Sequence, residues 1–122
     1  MTEQLVLSAD AGSPGMARRF VAECLERWGY SALVPDVELM TSEVATNAVL
    51  HVGEPFSLEV EDLGMGVRVT IDDPMATMPV RRRPGPLDPR GRGLEIVDRL
   101  ATAWGARRRV GAGKSVWFEA RG

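Results

Sequence analysis

Glu43, Asn47 and His51 follow one another at intervals of four residues. At about 100° per residue, that spacing stacks them along one face of a helix. A carboxylate one turn from an amide suits shared work on a ligand. Val37, Met40, Thr41, Val44 and Ala48 fall on one side of this stripe, and Leu39 and Leu50 on another. Polar groups with apolar neighbours on both sides are expected to line a partly buried cleft. Burial there is costly unless the groups are hydrogen-bonded or hold a ligand. A polar seam satisfied within a core helix would read the same way.

Three further groups carry chemical potential. Asp73 keeps step with Val67, Val69 and Ile71, so strand alternation sends it to the apolar face, while Asp72 points the other way. Gly91-Arg92-Gly93 leads into a helical pattern, where backbone N–H groups and the helix dipole favour an anion. Gly113-Lys114-Ser115 opens the last strand. A lone Gly-x-Gly also reads as a plain loop-to-helix hinge.

The elements that must position these groups follow from periodicity. Gln4–Leu7 reads as a short edge strand. Ser13-Pro14 reads as an N-cap and first helical residue, with Met16, Phe20, Val21, Cys24, Leu25 and Trp28 at helical spacing and Gly29 as the stop. The Glu43 helix opens at Pro35-Asp36 and ends before Gly53-Glu54-Pro55. Phe56, Leu58 and Val60 then alternate with polar residues, as do Val67, Val69 and Ile71, which predicts an antiparallel hairpin. Pro74–Arg92 loses all period and is rich in proline and arginine, as a lid or binding loop would be; a plain solvated connection would read the same way. Leu94, Val97, Leu100, Ala101 and Trp104 predict a helix closed by Gly105. Arg107–Val110 and Lys114–Ala120 predict two strands joined by a glycine turn. The order β, α, α, β, β, lid, α, β, β predicts a two-layer α/β (α+β) sandwich. Its sheet is mixed and mostly antiparallel, with about three helices on one face.

Composition limits the function classes. A chain of 122 residues with 44% hydrophobic and 26% charged content suits one globular domain over 1–122. A formal net charge of -2 and the lack of an aromatic stacking surface argue against nucleic acid as a partner, despite the local arginines. The single cysteine, Cys24, can form no internal disulfide, reads as a core filler and fits a reducing cytoplasm. No leader or membrane-spanning pattern is present, so a cytoplasmic location is expected.

The motifs together resemble the histidine-kinase-like ATPases with the Bergerat nucleotide-binding fold (the GHKL superfamily). Within them the chain is similar to the small stand-alone members related to anti-sigma-factor serine/threonine kinases. The resemblance rests on Glu43-x-x-x-Asn47, on Val69-Thr70-Ile71-Asp72-Asp73-Pro74, on Gly91-Arg92-Gly93-Leu94-Glu95-Ile96-Val97 and on Gly113-Lys114-Ser115-Val116-Trp117-Phe118. It spans about Leu5 to Ala120, with a lid at about 74–92. It implies that Asn47 would bind Mg²⁺, that Glu43 would act on the attacking hydroxyl or water, and that Asp73 would accept a hydrogen bond from the adenine amine. Gly91 and Gly93 would cradle phosphates, with Arg92 and Lys114 adding positive charge. His51, Met78, Arg90, Leu94 and Ser115 would complete the ATP contacts. One departure stands out. Met75 occupies the place of a glycine that many members carry two residues after the aspartate.

The function so implied is that of a protein kinase using ATP and Mg²⁺. It would phosphorylate an anti-sigma antagonist and sequester a sigma factor, and a homodimer would fit the resemblance. The alternative is a non-catalytic ATP-binding module acting only by sequestering its partner.

Overall fold

A computed structural model describes residues 1–51, 53–73, 89–108 and 113–122, with the backbone alone at 51, 89–94 and 108. The elements are β1 (Thr2–Leu7), α1 (Ser13–Arg27), α2 (Val34–His51), β2 (Phe56–Asp62), β3 (Gly66–Asp73), α3 (Pro89–Leu100), β4 (Ala103–Arg108) and β5 (Lys114–Arg121). A short 3-10 turn, Ser31–Leu33, precedes α2. The strands form one sheet in the order β1-β2-β3-β5-β4. Its four pairings are all antiparallel, so the described sheet is simpler than the mixed one expected.

Alternation decides which face is buried. Leu58 and Val60 of β2, Val67, Val69 and Ile71 of β3, and Phe118 and Ala120 of β5 are all buried. Ala17, Val21, Cys24 and Leu25 of α1, Val37, Met40, Val44, Ala45 and Ala48 of α2, and Val97 of α3 complete the same core. Burial pushes the Cys24 thiol above its usual range, as suits a core filler. On the opposite face, Arg68 donates to Glu119 at 2.7 and 2.9 Å and lies 5.8 Å from the Trp117 ring centroid. That face is tied together by charge and stacking instead of by a second layer.

Several boundaries differ from the periodic reading, two of them at the start of α1 and the end of α3. Gly12, not Ser13, caps α1. The Ser13 hydroxyl instead donates to the Ser8 carbonyl, and Asp10 accepts from the Gly12 N–H at 3.0 Å, so the chain is fastened before the helix begins. The second difference is larger. Trp104 and Gly105 belong to β4, not to the end of α3. Trp104 pairs with Phe118, and Gly105 pairs with Trp117. A Cβ at Gly105 would meet the Trp117 ring at 2.9 Å, so this glycine makes room for the indole and does not end a helix.

Candidate functional site

Strand register gathers the chemical groups at one end of the sheet. Asp72 pairs with Ser57, so β3 finishes where β2 begins. α2 stops at His51, and Gly53, with φ +68°, turns the chain toward Phe56 at that same end. Asn47, one turn before the α2 terminus, is carried there with it. β5 also starts there, because Lys114 pairs with Asp73. α3 runs back from the far end, where the Thr102 N–H donates to the Glu119 carbonyl at 2.8 Å. A 12-residue helix is roughly 18 Å long, about the span of β5 from Glu119 to Lys114. α3 is thus long enough for its first turn to reach the Asp73 end.

α2 packs against both β3 and α3. The elements carrying Glu43 and Asn47, Asp73, and the glycine pair are thus neighbours. Asp73 is buried, with 3% of its surface exposed. It emerges on the helix-covered face in step with Ile71. Asp72 lies on the other face, where it accepts a hydrogen bond from the Ser115 hydroxyl. Glu43 and Asn47 are half-buried.

Several expectations are altered. Leu39 and Leu50 are 44% and 60% exposed among the described residues. α2 rests its Met40, Val44 and Ala48 side on the sheet, so the stripe has a buried apolar flank on one side only. α3 begins at Pro89, two residues before Gly91, so Gly91 and Gly93 lie within its first turns and do not precede it. Proline at the first helical position suits this start. Ser115 is turned to the face opposite Asp73, because it pairs with Asp72. Met75 and Met78, with the rest of 74–88, lie outside the described residues. So do the side chains of His51, Arg90, Arg92 and Leu94 and the backbone of Arg109 to Ala112.

Thr41, assigned to the apolar side of α2 in the sequence, is fully buried there, and its Oγ1 has no hydrogen-bond partner among the described residues. The position of Lys114 could have been found by counting. It keeps step with Val116 and Phe118 as Asp73 does with Ile71 and Val69.

The donor set bears on which ligands fit. Among the described residues no three His, Cys, Asp or Glu side chains gather into a metal cage. An amide with one nearby carboxylate suits a magnesium ion that keeps its waters and takes phosphate oxygens. A buried carboxylate beside it suits a ligand bearing an N–H donor.

A family model for the histidine kinase-like ATPase domain matches residues 7–119. The chain belongs to that family. The match runs from the end of β1 into β5 and takes in all the elements that meet at the Asp73 end. No curated protein matches the chain. The five-stranded antiparallel sheet with three helices packed on it is an α+β fold consistent with this ATPase domain. Among the described residues no helix is long and apolar enough to cross a membrane.

Proposed function

We propose that this histidine kinase-like ATPase domain binds ATP with Mg²⁺ and acts as an anti-sigma-factor-type serine/threonine protein kinase. One observation carries the reading. A buried carboxylate, Asp73, ends β3 on the helix-covered face, at the end of the sheet toward which α2 carries Asn47. Asp73 accepts a hydrogen bond from the adenine amine. Asn47 offers its amide oxygen to the metal. The α3 terminus faces the phosphates, with Gly91 and Gly93 giving the backbone room. ATP and Mg²⁺ supply the transferable phosphoryl group and neutralise its charge. Glu43, one turn from Asn47, orients the attacking serine hydroxyl and accepts its proton. Positioning and charge carry most of such a reaction, since phosphoryl transfer asks little covalent chemistry of the protein.

The substrate in this reading is a serine of an anti-sigma antagonist, and the sequestered partner is a sigma factor. Exposed Leu39 and Leu50 flank Glu43 on α2 and would border an incoming protein surface. The test mixes the protein with labelled ATP and candidate antagonists. Label on a serine of the antagonist, lost with Glu43→Ala while nucleotide binding is kept, is the expected result. If the biological effect survives Glu43→Ala unchanged, the protein acts by sequestration alone.

A further inference from the structure

The C-terminal half of α3 is tied to β4 across a short joint. Two residues, Ala101 and Thr102, separate its end at Leu100 from Ala103, the first residue of β4. One hydrogen bond bridges that joint: the Trp104 indole N–H donates to the Asp98 carboxylate at 2.8 Å. Trp104 is itself well placed, because it pairs with the buried Phe118 and packs against the core. Asp98 is exposed on the last turns of the helix, next to the buried Val97. At the other end of α3, Gly91 and Gly93 are weak helix formers. The course of the first turns is therefore set by the half that Val97 and the joint anchor.

We infer that Asp98 is a positioning residue for the phosphate end of the site. The inference rests on the nucleotide reading above, in which the first turn of α3 faces the phosphates. The Asp98–Trp104 bond sets the angle of α3 to β4, and with it where the N–H groups of Gly91 and Gly93 lie. The lever is long. A helix of 12 residues extends roughly 18 Å, so a tilt of about 10° at the joint displaces its first turn by about 3 Å. A shift of about 1 Å already weakens an aligned contact severely. Asp73 lies on β3, outside the lever, so the base contact stays where it is. Loosening the clamp should reach the phosphates and spare the base.

Titration calorimetry of adenosine, ADP and ATP against wild type, Asp98→Ala and Trp104→Phe tests the assignment. Adenosine should bind all three proteins alike, whereas ATP should weaken about fivefold in both variants, with ADP between. A bond that only stabilises the fold would lower the melting point without grading the three affinities. A loss shared equally by the three ligands, or unchanged ATP affinity, overturns the proposal. Circular dichroism checks that each variant is folded. Asp98→Asn keeps an oxygen acceptor for the indole and should retain the wild-type series; a series that matches Asp98→Ala overturns the proposal. The double variant should lose no more than either single one, because both remove the same bond, and additive losses count against it. Wild-type protein that binds no adenine ligand removes the nucleotide reading itself, an outcome distinct from wild type that binds and variants that match it.

Discussion

The β2–β3 hairpin ends in two carboxylates that live differently. Asp62, at the turn end, is held by one remote partner and one in its own turn. It accepts from the Tyr30 hydroxyl at 2.7 Å and from the Gly64 N–H at 2.9 Å. Those bonds hold its carboxyl below the usual range. Asp73, at the other end, is buried on the core face where two helices and β5 also arrive. The first secures its own turn and ties it to Tyr30, just before α2. The second is placed by the whole fold, at the point where the proposed reading sets the adenine amine. An acidic side chain in water fastens local structure cheaply, while one under a helical layer must answer to something specific.

Substitutions at the two ends should separate these roles. The largest effect is expected at the turn end with Gly66→Ala. Gly66 has φ +155°, and a Cβ there would lie 2.1 Å from the Ala120 carbonyl oxygen. The backbone of β5 would have to move, so a loss of roughly 4 kcal/mol or more is expected, seen as a collapse of the urea midpoint. At the site end, Asp73→Asn should leave the melting point nearly unchanged but weaken ATP about a hundredfold, close to 2.7 kcal/mol. Calorimetry measures it, and wild-type affinity in the variant would break the comparison.

Gly105→Ala lies between the two ends and should cost about 1–3 kcal/mol through overpacking against Trp117, with nucleotide affinity kept. Thermal unfolding with and without ATP separates the two readouts. The smallest effect is expected from Tyr30→Phe, and its pH dependence sharpens the contrast. The folded Asp62 value lies below the unfolded one, so its stabilisation is present above the ordinary carboxylate value and disappears as pH falls through the folded one. The Tyr30 hydroxyl is raised by the same bond, so its contribution is lost as pH rises through its folded value. Wild type and variant should differ in melting point near neutral pH and converge in acid.

Much of the site end was legible because each clue is local. Strand parity separated Asp73 from Asp72, and a single helix carried Glu43 and Asn47 at a readable interval. The helix-to-strand junction was not legible. Trp104 falls four residues after Leu100, so it extends the helical stripe by coincidence, and β4 contains no β-branched residue to announce a strand. The reading of Gly105 as a helix stop failed with it, since its partner Trp117 is remote in sequence. The start of α3 was hidden because Pro89 looked like one more proline of the loop. Leu39 and Leu50 misled because a helical wheel gives the sides of a helix without saying which side meets the sheet. The Arg68–Glu119–Trp117 cluster left no signal, since its members join only when β3 and β5 pair.

The placement of β5 has a consequence for how the molecule is made. It follows every other strand in chain order, yet it lies between β3 and β4. A nascent chain emerging from the ribosome can zip β1, β2 and β3 early, but β4 must wait beside an open seam until its neighbour is synthesised. During that interval the β5 side of Asp73 stays open, so in the proposed reading the nucleotide site is completed only in the closing step of the protein's own assembly.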